Sequence, residues 1–325
     1  MRVVYATRFG GPDVLAVEEA PDPKAAAREV VVGVSVAPVL FLETQLRRGW
    51  GTEWFPVEPP YVPGGGVAGE VVSTGEGVDP GWIGRRVVAR TDGGGYAEQA
   101  AVPEGALIPV PDGLGLPEAA ALLHDGATAL GLADEAPIEP GTWVLVVAAA
   151  GGLGTLLVQL AHVAGARVIG AARTERKLAL IRRLGADAAV DYSQPGWPER
   201  VREMTGGAGP DVVFDGAGGH LGREAFEVTA RGGWFSAHGT PGGAFAGIDP
   251  KEAQRRGITV CGIERVQFAP TEAKRLVRRA LSEAAEGRIS PVIGQTFPLE
   301  RVAEAHAAIE SRETVGKTLL VVSRE

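Results

Sequence analysis

The sequence predicts an α/β protein of two domains, one mostly β and the other a doubly wound parallel sheet. Three observations carry that prediction. The chain has 325 residues, more than one compact core usually holds. Its N-terminal third reads as short strands punctuated by turns, whereas from Glu118 onward strands and helices alternate. A glycine-rich turn also stands between a strongly apolar strand and a helix within Val144 to Ala164, the order that a parallel βαβ unit requires.

In the first part, Arg2 to Gly10 opens with a short apolar stretch that reads as a strand. Val30 to Val36 is rich in β-branched residues, Val67 to Ser73 follows a glycine run, and Arg86 to Ala89 precedes another, so each is a strand candidate. An alanine- and leucine-rich helix begins at Glu118, and Val144 to Ala148 is the first strand of the second domain. Arg167 to Gly170, Ala188 to Asp191, Asp211 to Asp215, Gly233 to Ala237 and Ile258 to Gly262 continue the series between helical or loop stretches. Thr174 is placed to cap a helix whose Leu178, Ile181 and Leu184 lie three residues apart, and Gly185 supplies its stop. After Thr271 a long helix reaches about Gly287, a second runs from Leu299 to Arg312, and Thr318 to Val322 closes as a strand.

Composition removes several functional classes. Hydrophobic residues make up 45% of the chain and charged ones 22%, values that suit a globular protein rather than a disordered or fibrous one. A formal charge of -8 and the lack of a Lys/Arg stripe with interleaved aromatics argue against nucleic acid. The single cysteine, Cys261, allows neither an intramolecular disulfide nor a thiolate cluster for zinc or iron-sulfur, and points to a reducing cytoplasmic setting. No secretory signal is read at Met1 to Gly10. The apolar segment Trp143 to Ala172 is cut into strand, turn and helix lengths by Gly151, Gly152, Gly154 and Gly165, so no membrane partner is expected.

The most informative stretch is Val144 to Ala148, then Ala149-Ala150-Gly151-Gly152-Leu153-Gly154, then the helical run Thr155 to Ala164. A dinucleotide site of the Rossmann type needs a tight turn, little side-chain bulk where backbone meets pyrophosphate, and glycine where helix packs on strand. Gly151, Gly152 and Gly154 meet those needs, and Ala149 fills the place of the usual first glycine. The helix N-terminus then offers unpaired N–H groups and partial positive charge to the phosphates. A purely structural βα turn is the bland alternative; the strand before and the helix after favour dinucleotide binding. An acid about twenty positions downstream would hold the ribose of NAD. Ile169 to Ala172 contains none, and Arg173 and Lys177 follow. These cations suit a 2'-phosphate, although they also suit a solvated helix face. NADPH is expected over NADH.

At this point a family likeness emerges. It rests on Phe9-Gly10-Gly11-Pro12, Pro63-Gly64-Gly65-Gly66-Val67-Ala68-Gly69-Glu70-Val71, Gly84-Arg85-Arg86-Val87-Val88 and Gly95-Tyr96-Ala97-Glu98. It continues through Ala148 to Gly154, Val212-Val213-Phe214-Asp215, Ala305-His306 and Gly316-Lys317-Thr318-Leu319-Leu320. Over nearly its whole length the chain resembles the medium-chain dehydrogenase/reductase superfamily, in its zinc-independent NADPH:quinone oxidoreductase-like branch. The resemblance implies a GroES-like catalytic domain at 1–120, completed by about 268–325, and a Rossmann-type NADPH-binding domain at 121–267. It also implies a homodimer, with Ile258 to Ile263 as the pairing edge. Zinc-dependent relatives use a Cys in the first domain, a His-Glu pair and a further ligand. Here Ala37 to Glu43 has no Cys, and Gly65-Gly66 stands where the pair would be, so no metal is expected. Without a Lewis acid, alcohol dehydrogenation loses its main stabilisation, and reduction of an activated acceptor remains.

By the same resemblance, Lys177 and Tyr192 match positions that hold the adenosine phosphate, with Arg173 beside them. Thr128 matches the threonine by the nicotinamide, and Asp215-Gly216-Ala217-Gly218 and Gly239-Thr240 match loops bordering the cofactor. Leu40 stands where the branch often has Asn, which implies a more apolar acceptor pocket. Two residues are catalytic candidates. His124 is an ionisable group just before Thr128, read either as a proton donor or as a capping or packing residue at a helix start. Tyr61, with Trp50, Trp54 and Phe55, is read either as lining the acceptor pocket or as a loop packed on its own domain. His306 and Cys261 read as structural. The expected function is hydride transfer from NADPH to a small hydrophobic quinone or α,β-unsaturated carbonyl compound, with the proton coming from a side chain or water. The alternatives are an NADPH-binding structural or regulatory protein without turnover, and a zinc-type alcohol dehydrogenase with displaced ligands.

Overall fold

The computed structural model describes residues 1–322, so 323–325, the end of the stretch expected to complete the first domain, lie outside the described residues. The chain forms two compact units. The first comprises Met1–His124, Val277–Glu286 and the chain from Pro291; the second comprises Asp125–Leu276 and Gly287–Ser290.

The first unit opens with β1 (Arg2–Ala6), β2 (Leu15–Glu19), β3 (Glu29–Val39) and α1 (Phe41–Arg47). It continues with β4 (Gly66–Thr74), β5 (Arg86–Arg90), β6 (Gln99–Pro103), β7 (Ile108–Pro109) and the start of α2 (Leu116–Glu135). The second unit carries β8 (Trp143–Val147), α3 (Gly152–Val163), β9 (Arg167–Ala172), α4 (Glu175–Arg183), β10 (Ala188–Asp191) and α5 (Trp197–Met204). It goes on with β11 (Val212–Asp215), α6 (Gly219–Val228), β12 (Trp234–Ala237), α7 (Pro250–Arg256) and β13 (Thr259–Cys261). Helix α8 (Pro270–Ala285) is crossed by the division between units, and β14 (Ile293–Pro298), α9 (Val302–Glu310) and β15 (Lys317–Val321) return to the first. No helix among the described residues is long and apolar enough to cross a membrane.

Strand β3 organises the first unit. Its eleven residues are almost continuously buried and mostly valine, side chains that fit a pleated surface covered on both faces. Both its edges are used: β4 pairs along one, while β6 and then β15 pair along the other, all antiparallel. Val30, Val32 and Val34 join Val67, Val71, Val102 and Leu320 in one apolar core.

In the second unit six parallel strands run in the order β10-β9-β8-β11-β12-β13. This is the doubly wound order, in which the direction of winding reverses between β8 and β11 and leaves a crevice at the strand ends. Leu145, Val147, Ile169, Val213 and Phe235 are buried, as a parallel sheet covered on both faces requires. The strands expected in this unit lie within a residue or two of those observed.

Three local expectations are corrected. Thr174 makes no side-chain cap bond, because its left-handed backbone, φ +67°, withdraws the hydroxyl from the first turn of α4. His124 lies inside α2 rather than at a helix start, where the preceding turn supplies backbone acceptors and no cap is needed. Leu299 to Arg312 divides into a 3-10 turn, Leu299–Arg301, and α9.

Helix α3 meets β8 through Gly154. A Cβ there would lie 2.6 Å from the Ala148 carbonyl oxygen and 2.8 Å from the Ala149 Cα, backbone atoms that cannot step aside cheaply. Gly154→Ala is expected to lower the unfolding free energy by about 1–3 kcal/mol, the usual cost of overpacking, seen as a lower urea midpoint at unchanged slope. An unaltered midpoint would mean that helix and strand separate freely.

Candidate cofactor and catalytic sites

The second unit holds the nucleotide-type turn. Leaving β8, the chain turns at Ala148, whose φ of +59° lies in the left-handed region that a side chain disfavours. Gly151 N–H donates to Ala148 O at 3.0 Å and Thr155 N–H to Gly151 O at 2.9 Å, so α3 starts at once. Ala150, Gly151, Gly152, Leu153 and Gly154 therefore form one tight curve at the head of α3. The first-turn N–H groups of such a helix have no intrahelical acceptors and attract anions.

At the end of β9 the Arg173 guanidinium stands 6.0 Å from the centre of the Tyr192 ring. Tyr192 N–H donates to Ala172 O at 3.3 Å, and Lys177 N–H to Thr174 O at 3.1 Å in the first turn of α4. Arg173 and Tyr192 are thus in contact, and Lys177 follows in the first turn of α4. Ala171 and Ala172 end the strand without a carboxylate.

The ends of β11 and β12 are stitched through Asp215. Its Oδ1 accepts from Ala217 N–H at 3.0 Å and Gly218 N–H at 2.9 Å. Its backbone oxygen accepts from His238 N–H at 3.2 Å and Gly239 N–H at 2.9 Å. Gly239 approaches Gly216 so closely that a Cβ on Gly239 would lie 2.1 Å from the Gly216 carbonyl carbon. Gly216, Gly239 and Thr240 are therefore brought together, with Thr240 O accepting from Gly243 N–H at 2.8 Å. Asp215 is fully buried, Oδ2 has no partner, and burial pushes its carboxyl up to about 6 against the pull of the two N–H donors. Burial also pushes the His238 imidazole down to about 4. Thr128 lies on α2, partly exposed.

The first unit gathers a polar cluster that the sequence reading did not identify. Glu43, only 7% exposed, accepts from Leu40 N–H at 2.8 Å, Gly65 N–H at 2.7 Å and the Tyr96 hydroxyl at 2.5 Å. Tyr96 Oη lies 3.4 Å from His306 Nε2, and the buried Arg47 pairs with Glu310. Glu43 is in reach of backbone donors because it sits in the first turn of α1. In sequence, Leu40 to Arg47 looks like an ordinary amphipathic turn, and nothing local marks its acid and its arginine as buried.

His124 Nε2 lies 3.0 Å from the Gly65 carbonyl oxygen. Burial pushes the imidazole down to about 3, with Arg90 and Lys317 adding to the effect, so the ring is neutral at physiological pH. Tyr61 is tied to β1 through its backbone, Ala6 N–H donating to Tyr61 O at 2.8 Å. Its phenol is pushed up to about 12 by burial and by the Glu43 charge, and stays protonated. Trp54 is 60% exposed and meets Trp50 edge to face at 5.9 Å, so these aromatics are not packed inward on their own domain. Phe55 is exposed as well. Among the described residues, no three His, Cys, Asp or Glu side chains are arranged to hold a metal ion.

Residues 26–112 match the alcohol dehydrogenase GroES-like domain, and residues 152–282 match the zinc-binding dehydrogenase domain. A "probable quinone oxidoreductase" of Schizosaccharomyces pombe is 32% identical across 99% of this chain and 98% of its own. A 2-haloacrylate reductase of a Burkholderia species is 32% identical over 96% of each chain. The crystal structure of Escherichia coli quinone oxidoreductase complexed with NADPH superposes with a TM-score of 0.90 at 27% identity, covering 99% of this chain and all of that one.

The buried Asp215 makes stability depend on pH. Its folded value, about 6, stands above the ordinary 3.8, so the protonated form is favoured in the fold. The stabilisation is fully present below about pH 4 and is lost as pH rises through about 6, a change on the order of 3 kcal/mol. Asp215→Asn does not titrate, so between pH 4 and pH 7 the variant should gain about that much relative to the parent. Urea unfolding at the two pH values checks this, and a difference that stays constant with pH would refute it.

Proposed function

The chain belongs to the medium-chain dehydrogenase/reductase superfamily, in its quinone oxidoreductase-like branch, and on that footing we propose that it reduces quinones or α,β-unsaturated carbonyl compounds with NADPH and without zinc. One observation carries the reading: the anion-attracting head of α3 is accompanied by a β9 end that offers Arg173 over Tyr192 and no carboxylate. The residues fit the cofactor. The backbone from Ala150 to Gly154 offers a pyrophosphate the head of α3 with little side-chain bulk, Gly151 and Gly152 carrying none. Arg173 and Lys177 hold the 2'-phosphate by charge-assisted bonds, with Tyr192 stacked under the guanidinium. Thr128, Gly216, Gly239 and Thr240 border the nicotinamide half.

When bound, the reduced nicotinamide supplies a hydride to an electron-poor carbon of the acceptor. Tyr61, protonated throughout the physiological range, donates a hydrogen bond to the oxygen on which negative charge develops. His124 is neutral and donates a hydrogen bond from Nε2–H to the Gly65 carbonyl. It therefore acts through Nδ1, orienting the water that returns the proton. The zinc-free reading is supported by Gly65 and Gly66, which contribute no ligand, and by Glu43, whose oxygens are committed to three donors. A homodimer paired through β13, the edge strand of its sheet, and a cytoplasmic location belong to the same proposal.

The alternative is NADPH binding without turnover. Oxidation of NADPH in the presence of a panel of quinones, enones and enoyl thioesters separates the two, and no consumption with any acceptor favours the second.

Two substitutions test the first reading. Arg173→Ala and Lys177→Ala should each weaken NADPH binding about tenfold or more while leaving NADH binding nearly unchanged; equal losses for both nucleotides, measured by calorimetry, would remove the phosphate assignment. His124→Ala should lower kcat for enone reduction roughly tenfold or more, and an unchanged rate would strike it from the mechanism.

A further inference from the structure

We propose that Glu43 is a positioning residue: by gripping the Gly64-Gly65-Gly66 turn it holds the Gly65 carbonyl where it fixes His124 as the Nε2–H tautomer, leaving Nδ1 unprotonated. The tautomer claim stands on the first unit alone, and only its catalytic consequence rests on the function proposed above.

The carboxylate ties three separate segments together. Oε2 accepts from Leu40 N–H at the head of α1 and from the Tyr96 hydroxyl, and Oε1 accepts from Gly65 N–H ahead of β4. Capping α1 needs only the first of these bonds. A buried carboxylate is costly unless its lone pairs are satisfied, and here the donors beyond the helix end come from the glycine turn and from a buried tyrosine. The acid thus does more than close α1. It holds the turn.

Gly65 is constrained at both ends of its backbone. Its N–H goes to Glu43, and its carbonyl accepts from Thr91 N–H at 3.0 Å and faces His124 Nε2 at 3.0 Å. A carbonyl only accepts, so Nε2 must carry the imidazole proton, and in a neutral ring Nδ1 then has none. The turn also packs directly beneath the ring: a Cβ on Gly66 would lie 2.5 Å from Leu123 Cδ2 and 3.0 Å from His124 Nε2. A Cβ on Gly65 would instead meet Leu40 Cδ1 at 3.6 Å, Glu43 Oε1 at 3.7 Å and His124 Cε1 at 3.9 Å, ordinary contacts. Gly65 therefore faces a small space ringed by these three side chains, and a methyl group fits there.

Replacing Glu43 by glutamine keeps the shape but not the acceptors. An amide offers one oxygen, so at least one of the Leu40, Gly65 and Tyr96 donors loses its partner or meets an opposing N–H. The test is nitrogen NMR on protein labelled at histidine, with His124 assigned by its substitution. In the parent protein His124 should show a protonated Nε2 and a bare Nδ1; a protonated Nδ1 or an imidazolium at neutral pH overturns the proposal. In Glu43→Gln the two nitrogen signals should move toward each other as both tautomers become populated. The kcat for an enone should fall about tenfold, with NADPH binding altered by less than about twofold because the nucleotide turn belongs to the other unit. Unchanged nitrogen signals in that variant refute the positioning role. Should Glu43→Gln fail to fold, Gly65→Ala serves: its methyl fits and its backbone bonds remain, so the Nε2–H tautomer must persist, and its loss counts against the assignment. The spectra need neither cofactor nor turnover. A protein with the expected tautomer response but no NADPH oxidation would sink the reductase reading alone.

Discussion

No side-chain atom separates the head of α3 from the end of β8, and the nucleotide site follows from that approach. Because Gly154 lets helix and strand backbones meet, the curve from Ala148 to Gly154 closes within a few residues and leaves peptide N–H groups as its outward face. A bulkier residue would lift the helix and move its positive end away from the crevice between β8 and β11, where the winding of the sheet reverses. The same economy of bulk recurs where Gly239 lies against Gly216. Both loops at the switch point thus depend on close backbone approach, with the buried Asp215 carboxylate stitching the second.

The first unit solves a different problem. Its core is largely valine, yet it also buries Glu43, Arg47 and His306. Glu43 has three donors, Glu310 stands beside Arg47 and Tyr96 beside His306, while Arg47 Nε and Nη1 and His306 Nδ1 are buried without a hydrogen-bond partner. Such a polar cluster adds little net stability compared with apolar packing of the same volume, but it defines one arrangement of α1, the glycine turn and α9. Burial also settles the protonation states nearby, keeping the His124 ring neutral and the Tyr61 phenol protonated.

Much of this was legible in the sequence because the signals are local. The apolar strand, glycine turn and helix from Val144 onward appear where the pattern puts them, as do the parallel strands, each bounded by turn residues. What escaped depends on distant partners. Thr174 has the right chemistry for a helix cap, but a positive φ overrides it. Strand β14 lacks an apolar run, because it lies at the edge of its sheet and is only partly covered. Glu43 and Tyr96 are 53 residues apart and Tyr96 and His306 are 210 apart, so no window of sequence contains that cluster. The left-handed turn residue is Ala148, one position before the alanine compared with the usual first glycine.

The pairing of β15 with β3 bears on the order in which a nascent chain can acquire structure. Val36 to Val39 take their partners on one side from Thr318 to Val321, near the opposite end of the chain. The sheet of the first unit therefore stays incomplete until Thr318 to Val321 have left the ribosome. The second unit is nearly continuous from Asp125 to Leu276 and lacks only Gly287–Ser290, so it has its strands to hand much earlier. Domains usually mature from the N-terminus onward during synthesis. Here the interrupting domain is ready first, and the β domain that was begun before it is finished after it.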